Sequence, residues 1–367
     1  MRAPLLFVVG TRPEAIKLAP ILLEARARDV RTICCTTGQH SELVRPALAF
    51  FDLTPDIDLA LEKPDLTTFT GRAVGALGEL MVQHRPRAVL VQGDTSSALA
   101  GGLAGVYARA PVVHVEAGLR SYDRLAPFPE ETHRVLLSHL ASLHCAPTAG
   151  AAANLAREGI TQNVLVAGNT VIDALRLCTP ALIRMDRVFA TRFPFASRRL
   201  VLATVHRRES FGPRLEGICR ALRTIVERHH DVELALPVHP HPSVQQVVRD
   251  LLAKTPRVHL LEPLPYPEML WLLRASTLVL TDSGGLQEEA PAFGKPVLVL
   301  RDVTERPEGI AAGCAQLVGT EEQGIVSAAS RLLSDPGAWA EMAHVAHPYG
   351  DGHAAEAIVD EIERRFP

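Results

Sequence analysis

Short apolar runs recur along the chain without polar alternation inside them. Residues 5–9, 32–35, 88–91 and 111–115 form one series; 200–205, 233–238, 258–261, 278–280 and 296–300 form another. Runs this short, rich in Val and Leu on both faces, predict parallel strands covered by helices on each side. Longer stretches with helical periodicity separate them, such as 15–29, 96–109 and 215–229. Repeated strand–helix–strand order predicts an α/β fold built from doubly wound sheets. The pattern begins again near residue 199, where "RFPFASRRLVLATVH" reads as a connector entering the first strand of a second half. Two Rossmann-like domains facing a cleft are therefore expected, over 1–172 and 173–346. The tail, 347–367, reads as a Gly-marked turn and a final helix that packs back on the N-terminal domain. Ligands of such sheets bind beyond the carboxyl ends of the strands, so the residues after each strand carry the chemistry.

Composition narrows the classes. The 367 residues suffice for two cores, and 47% hydrophobic with 22% charged residues is the balance of a soluble globular chain. A net charge of −3 and a pI near 6.6 provide no overall field for nucleic acid or an anionic membrane. The opening "MRAPLLFVVGTRPE" turns polar too early for a secretory signal, and no segment approaches the roughly 20 apolar residues of a span. Cysteines 34, 35, 145, 178, 219 and 314 have neither C-x-x-C nor metal spacing, which points to reduced core thiols and a cytoplasmic location. With only four lysines against thirty-four arginines, a lone Arg says little, whereas Lys17 and Lys295 stand out.

"GTRPEAIKLAP" follows the first strand. It has one glycine where a dinucleotide fingerprint needs three, which disfavours NAD. Arg12 and Lys17 read either as ligands of an anion or as helix capping plus a solvated charge. "GDTSSALA" follows "AVLVQ", and Asp94 reads either as a helix cap or as a reacting group. Glu116 follows "PVVHV" in "EAGLRS", and "PFPEETHR" places Glu130 and Glu131 on a Pro-bounded loop. Carboxylates gathered at one sheet rim suit proton transfer; the plainer reading is ion pairing with Arg120, Arg124 and Arg134.

In the second half, "HRRESFG" crowds His206, Arg207 and Arg208 at a strand's carboxyl end as an anion clamp. "PVHPHP" spaces His239 and His241 two apart, but with no third ligand a Pro-stiffened loop is preferred to a metal site. In "TDSGGLQEEA", Ser283, Gly284 and Gly285 offer a hydroxyl and backbone N–H groups to a diphosphate at a helix start, and Glu289 one turn on suits ribose hydroxyls. Glu288 is explained by the preference of helix starts for acids. "VLVLRDVTERPEG" brings Arg301, Glu305 and Arg306 after another strand. The ligand that fits is a nucleotide-sugar, with diphosphate and ribose on the second domain and hexose toward the acids of the first.

The segments "GTRPEAIKLAP", "GDTSSALA", "HVEAGLRS", "PEETHR", "GNTVIDAL", "HRRESFG", "DSGGLQEEAP", "GKPVLVLRDVTERPE" and "PYGDG" resemble, in order and over essentially the whole chain, the non-hydrolysing UDP-N-acetylglucosamine 2-epimerases. The resemblance implies a two-domain fold like that of B-type glycosyltransferases, a homodimer, and no cofactor or metal. It implies interconversion of UDP-GlcNAc and UDP-ManNAc by elimination of UDP and re-addition through a glycal. By motif, Asp94, Glu116, Glu130 and His206 correspond to catalytic positions. Arg12, Lys17, Ser283, Gly284, Gly285, Glu289 and Arg306 correspond to substrate contacts. Gln39, Arg72, Arg207 and His239 fall where some members bind a second, activating UDP-GlcNAc. Departures are His133 and His241, where Asn is frequent, Met269 where an aromatic packs on uracil, and Phe128 in place of a Trp. The alternatives are the same chemistry on another UDP-HexNAc, a variant releasing the free sugar, a glycosyltransferase of like architecture, or a nucleotide-sugar sensor.

Overall fold

The computed structural model describes residues 3–125, 127–207 and 210–367. They form two compact units, Met1–Cys178 with Tyr349–Pro367 and Thr179–Pro348.

The first unit alternates β1 (Leu5–Val9), α1 (Arg12–Ala27), β2 (Thr32–Thr36), α2 (Ser41–Ala49), β3 (Ile57–Asp58), α3 (Leu66–His84), β4 (Ala88–Gln92), α4 (Ser96–Tyr107), β5 (Val112–Val115), α5 (Glu130–Leu140), β6 (Leu143–Ala146), α6 (Ala149–Arg157) and β7 (Val164–Val166). α7 (Thr170–Arg184) carries the boundary to the second unit. The seven strands pair in the order β3-β2-β1-β4-β5-β6-β7, each pair parallel. β1 and β4 are buried at every position, so both faces of the sheet lie under helices. Leu6, Val8, Val89 and Val91 pack with Phe69 and Leu77 of α3 and Ala98 of α4 in one core.

The second unit runs α8 (Asp186–Arg192), β8 (Arg199–Thr204), α9 (Pro213–Arg228), β9 (Val232–Pro237), α10 (Pro242–Leu252), β10 (Val258–Leu261), α11 (Tyr266–Ala275), β11 (Leu278–Thr281), α12 (Gly284–Ala292), β12 (Val297–Val299), α13 (Pro307–Ala312), β13 (Ala315–Leu317), α14 (Glu322–Ser334) and α15 (Pro336–Ala343). Its six parallel strands are ordered β10-β9-β8-β11-β12-β13. Val201, Leu234, Leu280 and Leu298 form its core with Ile218 and Leu222 of α9.

Both sheets therefore have the Rossmann strand order, which reverses direction between β1 and β4 in one and between β8 and β11 in the other. Ligands of open α/β sheets bind at that reversal. The chain closes with α16 (Ala354–Arg365), whose first N–H groups are accepted by Asp173 of α7, with Ala355 N 2.9 Å from Oδ1. Arg87 Nη1 donates to Phe366 O at 2.7 Å just beyond it.

Several local features differ from the sequence reading. The helix expected over 15–29 starts at Arg12, because the Glu14 carboxylate folds back onto the first N–H groups and Pro needs no donor in the first turn. Glu130 and Glu131 open a helix rather than lying on a loop, with Pro129 as its N-cap. β3, β6, β7 and β13, each of two to four residues, are not among the runs read from the sequence.

Candidate functional site

In the first unit the loops after β1 and β4 meet through Glu14. Its Oε2 accepts from Thr11 N at 2.6 Å and Gly10 N at 3.1 Å, and its Oε1 accepts from Thr95 Oγ1 at 2.7 Å. Burial drives the carboxyl up to about 7, against the pull of these hydrogen bonds. Gly10 is required by close approach, since a Cβ there would lie 2.0 Å from Ser97 Oγ. Gln39 Oε1 accepts from the same hydroxyl at 2.6 Å.

Asp94 follows β4 and is gripped from α5. Arg134 Nε lies 2.7 Å from Asp94 Oδ2, and His133 Nδ1 lies 2.8 Å from Asp94 O. One residue earlier, His114 Nε2 donates to Gly93 O at 2.7 Å; burial pushes that imidazole down to about 4, so it is neutral near pH 7. Glu116, where β5 ends, has a left-handed backbone with φ 65°. Its Oε2 pairs with Lys17 and accepts from Gln92 Nε2 at 2.7 Å. Glu131 holds the loop before α5, accepting from Ser121 N and Tyr122 N, while Arg134 bridges Glu131 and Asp94. Glu130 has one buried oxygen, Oε2, with no hydrogen-bond partner among the described residues. Arg12 likewise has no ion-paired partner among them.

Of the arginines in the plainer, ion-pairing reading, Arg134 does pair with Asp94 and Glu131, whereas Arg120 pairs with Glu158 at 2.7 Å. Lys17 pairs with Glu116.

In the second unit Asp282, fully buried after β11, ties in the loop after β8. It accepts from His206 N at 3.0 Å, Arg207 N at 2.9 Å and Ser210 Oγ at 3.0 Å, and His206 Nδ1 lies 3.1 Å away. Desolvation pushes its carboxyl up, but the His206 hydrogen bond and charge and the two backbone donors outweigh it and hold it below the ordinary value. Arg208 lies outside the described residues.

Ser283 caps α12 and Gly284 begins it. A Cβ on Gly284 would meet Arg306 Nη1 at 2.7 Å, so only glycine lets that guanidinium lie against the helix start. Arg306 also pairs with Glu288 and Glu305, each at 2.7 Å. Glu288 is thus an ion-pair partner, beyond the helix-dipole explanation. Glu305 takes three cations, with Arg207 at 3.0 Å and Arg301 at 2.7 Å completing the set, and they hold its carboxyl well below the usual range despite burial. Glu289 accepts from Tyr266 Oη of α11 at 3.0 Å, and half-buried Met269 lies one turn along the same helix.

The four second-ligand positions divide: Gln39 and Arg72 belong to the first unit, Arg207 and His239 to the second. Arg72 is exposed, 4.0 Å from Glu62. His239 has its pKa lowered by burial and then by the charges of His206 and His241. Among the described residues no three His, Cys, Asp or Glu side chains are placed to hold a metal ion.

Glu14 and Asp282 were not singled out as site residues by the sequence, and His133 stood out only as a departure from the family pattern. Glu14 had a usable signal: Thr11 and Glu14 have capping-box spacing at the start of α1. Asp282 immediately follows an apolar strand, which is a weaker one.

Parallel sheets of Rossmann order, acids at one set of strand ends and an anion-type helix start at the other, define a nucleotide-sugar protein of the two-domain, B-type glycosyltransferase-like fold. The profile of the UDP-N-acetylglucosamine 2-epimerases matches residues 23–363. The chain is 44% identical to the UDP-N-acetylglucosamine 2-epimerase of Escherichia coli K12, over 98% of each protein. It superposes with a TM-score of 0.95 on the UDP-GlcNAc 2-epimerase of Neisseria meningitidis bound to UDP-GlcNAc, at 39% identity, covering 99% of this chain and 100% of the other. The Methanocaldococcus jannaschii enzyme in complex with UDP-GlcNAc and UDP gives 0.85 at 32% identity, over 98% and 99% of the two chains. The chain belongs to the UDP-N-acetylglucosamine 2-epimerase family, and its activity is epimerisation of UDP-GlcNAc at C2.

Proposed function

We propose that Asp94, Glu116 and Glu130 exchange the C2 proton of UDP-GlcNAc while the second unit holds the UDP. The observation that carries this reading is the separation of charge types: carboxylates at the strand ends of the first unit, a guanidinium-backed helix start in the second. The C2 hydrogen is weakly acidic because no carbonyl adjoins it. Its removal needs a placed base together with a leaving group that carries away the electron pair. Proton loss from C2 and cleavage of the C1–O bond form the glycal and UDP; re-addition of UDP, with a proton delivered to the opposite face, gives UDP-ManNAc. Ser283, Gly284, Gly285, Arg306 and Arg12 bind the diphosphate, Glu289 the ribose, and His206 lies at the phosphate or donates a proton. Lys17 holds Glu116 in place.

Gln39, Arg72, Arg207 and His239 are assigned to a second, activating UDP-GlcNAc on the strength of the motif resemblance. The chain works as a homodimer in the cytoplasm; six free, buried cysteines support a reducing compartment.

UDP-GlcNAc carrying 18O in the C1–O–P bridge tests the elimination. Scrambling of the label into non-bridging phosphate positions, together with UDP-ManNAc formed without any acceptor, is expected. A bridge label retained through turnover contradicts it.

A further inference from the structure

We propose that His133 is a positioning residue for the C2 proton transfer: its imidazole fixes the Asp94 peptide and so orients the Asp94 carboxylate relative to Glu130. The inference rests on the reading of Asp94 and Glu130 as acid/base groups. His133 is 9% exposed, and its Nδ1 lies 2.8 Å from Asp94 O. A carbonyl oxygen only accepts, so Nδ1 is the protonated nitrogen. The neighbouring Arg134 holds the same residue by its side chain, Nε and Nη2 both reaching Oδ2 at 2.7 Å. The hydrogen bond from His133 to the Asp94 carbonyl fixes the backbone from which that carboxylate projects.

Glu130 opens the helix that carries both grips, three residues before His133 and four before Arg134. Side chains at these spacings share a helix face. One turn of α5 thus presents one acid and clamps another by backbone and side chain. The loop is held from the strand side as well, by His114 on Gly93 O.

The test compares His133→Leu, which removes the donor, with His133→Asn, whose amide can donate to the same carbonyl. Misplacing a reacting group by about 1 Å costs on the order of 100-fold. Accordingly kcat for UDP-GlcNAc is expected to fall roughly 10- to 100-fold in His133→Leu while KM stays within about two-fold. His133→Asn is expected to recover kcat to within about three-fold. His133→Asp, matched to Asn in size but without a donor, replaces the Leu variant if that one does not fold. Wild-type kcat in the donor-less variant overturns the proposal, and so does equal loss in the donor and donor-less variants. Asp94→Asn run in parallel separates the failures. Full turnover there removes Asp94 from the chemistry and this proposal with it, whereas lost turnover there beside a normal His133→Leu refutes the positioning role alone.

Discussion

The two units repeat one strand order and use the same two loops of it, after the first and fourth strands, yet they tie those loops with opposite electrostatics. In the first, Glu14 reaches from the strand-one side to Thr95 and has no cation among its bonded partners, so burial dominates and its carboxyl rises to about 7. In the second, Asp282 reaches from the strand-four side to His206 and Arg207, and the hydrogen bonds from the His206 side chain and from both backbone N–H groups hold its carboxyl below the ordinary value although it is as deeply buried. The scaffold supplies a buried acid bridge in both; the donors facing it decide the direction in which its pKa moves. The same contrast extends outward. The Lys17–Glu116 pair and an Arg134 shared by Asp94 and Glu131 surround the first bridge, and Arg207, Arg301 and Arg306 gather on one glutamate near the second. Proton transfer suits the former and anion binding the latter.

The largest break in this comparison is expected from Asp94→Asn. It should lower kcat by roughly 1,000-fold or more while leaving UDP affinity within about two-fold in calorimetric titration. A parallel loss of UDP binding would erase the division of labour.

Glu14→Gln sharpens the contrast through pH. The folded pKa of about 7 stands above the unfolded value of 4.5, so the fold favours the neutral acid. That contribution is fully present below pH 4.5 and is lost as pH rises through 7; the shift corresponds to about 3 kcal/mol. A glutamine is neutral throughout. Thermal melts should therefore show wild type losing stability relative to Glu14→Gln between pH 5 and 8, and parallel curves would refute the buried, raised carboxyl.

Gly284→Ala acts on the other bridge's neighbourhood. The added Cβ occupies space held by the Arg306 guanidinium, and the backbone there has no positive φ to strain. UDP affinity should weaken roughly ten-fold, about 1.4 kcal/mol, with the melting temperature little changed. Unaltered UDP binding would remove Arg306 from the diphosphate contacts.

The smallest effect is predicted for Arg72→Ala. Its partner Glu62 is 4.0 Å away and both side chains are exposed. Stability should change by less than about 0.5 kcal/mol in a denaturant melt.

The strands were legible because Leu5, Val8, Val89 and Val201 sit in runs buried on both faces, which leaves no polar alternation. The candidate side chains were legible because chemistry in such sheets collects after strand ends, and Asp94, Glu116, His206 and Ser283 all fall there. What escaped was pairing across the chain. Glu14 meets Thr95 at a separation of 81 residues, Asp282 meets His206 at 76, and His133 meets Asp94 at 39. Periodicity and motif spacing act over one element, so they do not report which loop a buried acid or imidazole will hold. The sequence reads Glu130 as part of a loop because Pro127 and Pro129 lie just before it, yet the helix begins at Glu130 with Pro129 as its N-cap.

The central claim, that the first unit's acids remove and return the C2 proton, is tested most directly by incubating the protein with UDP-GlcNAc in deuterated water. One deuterium at C2 of both recovered UDP-GlcNAc and newly formed UDP-ManNAc, seen by NMR and abolished in Asp94→Asn, is the predicted result. UDP-ManNAc that retains the original C2 hydrogen, or no exchange after prolonged incubation, would contradict the account.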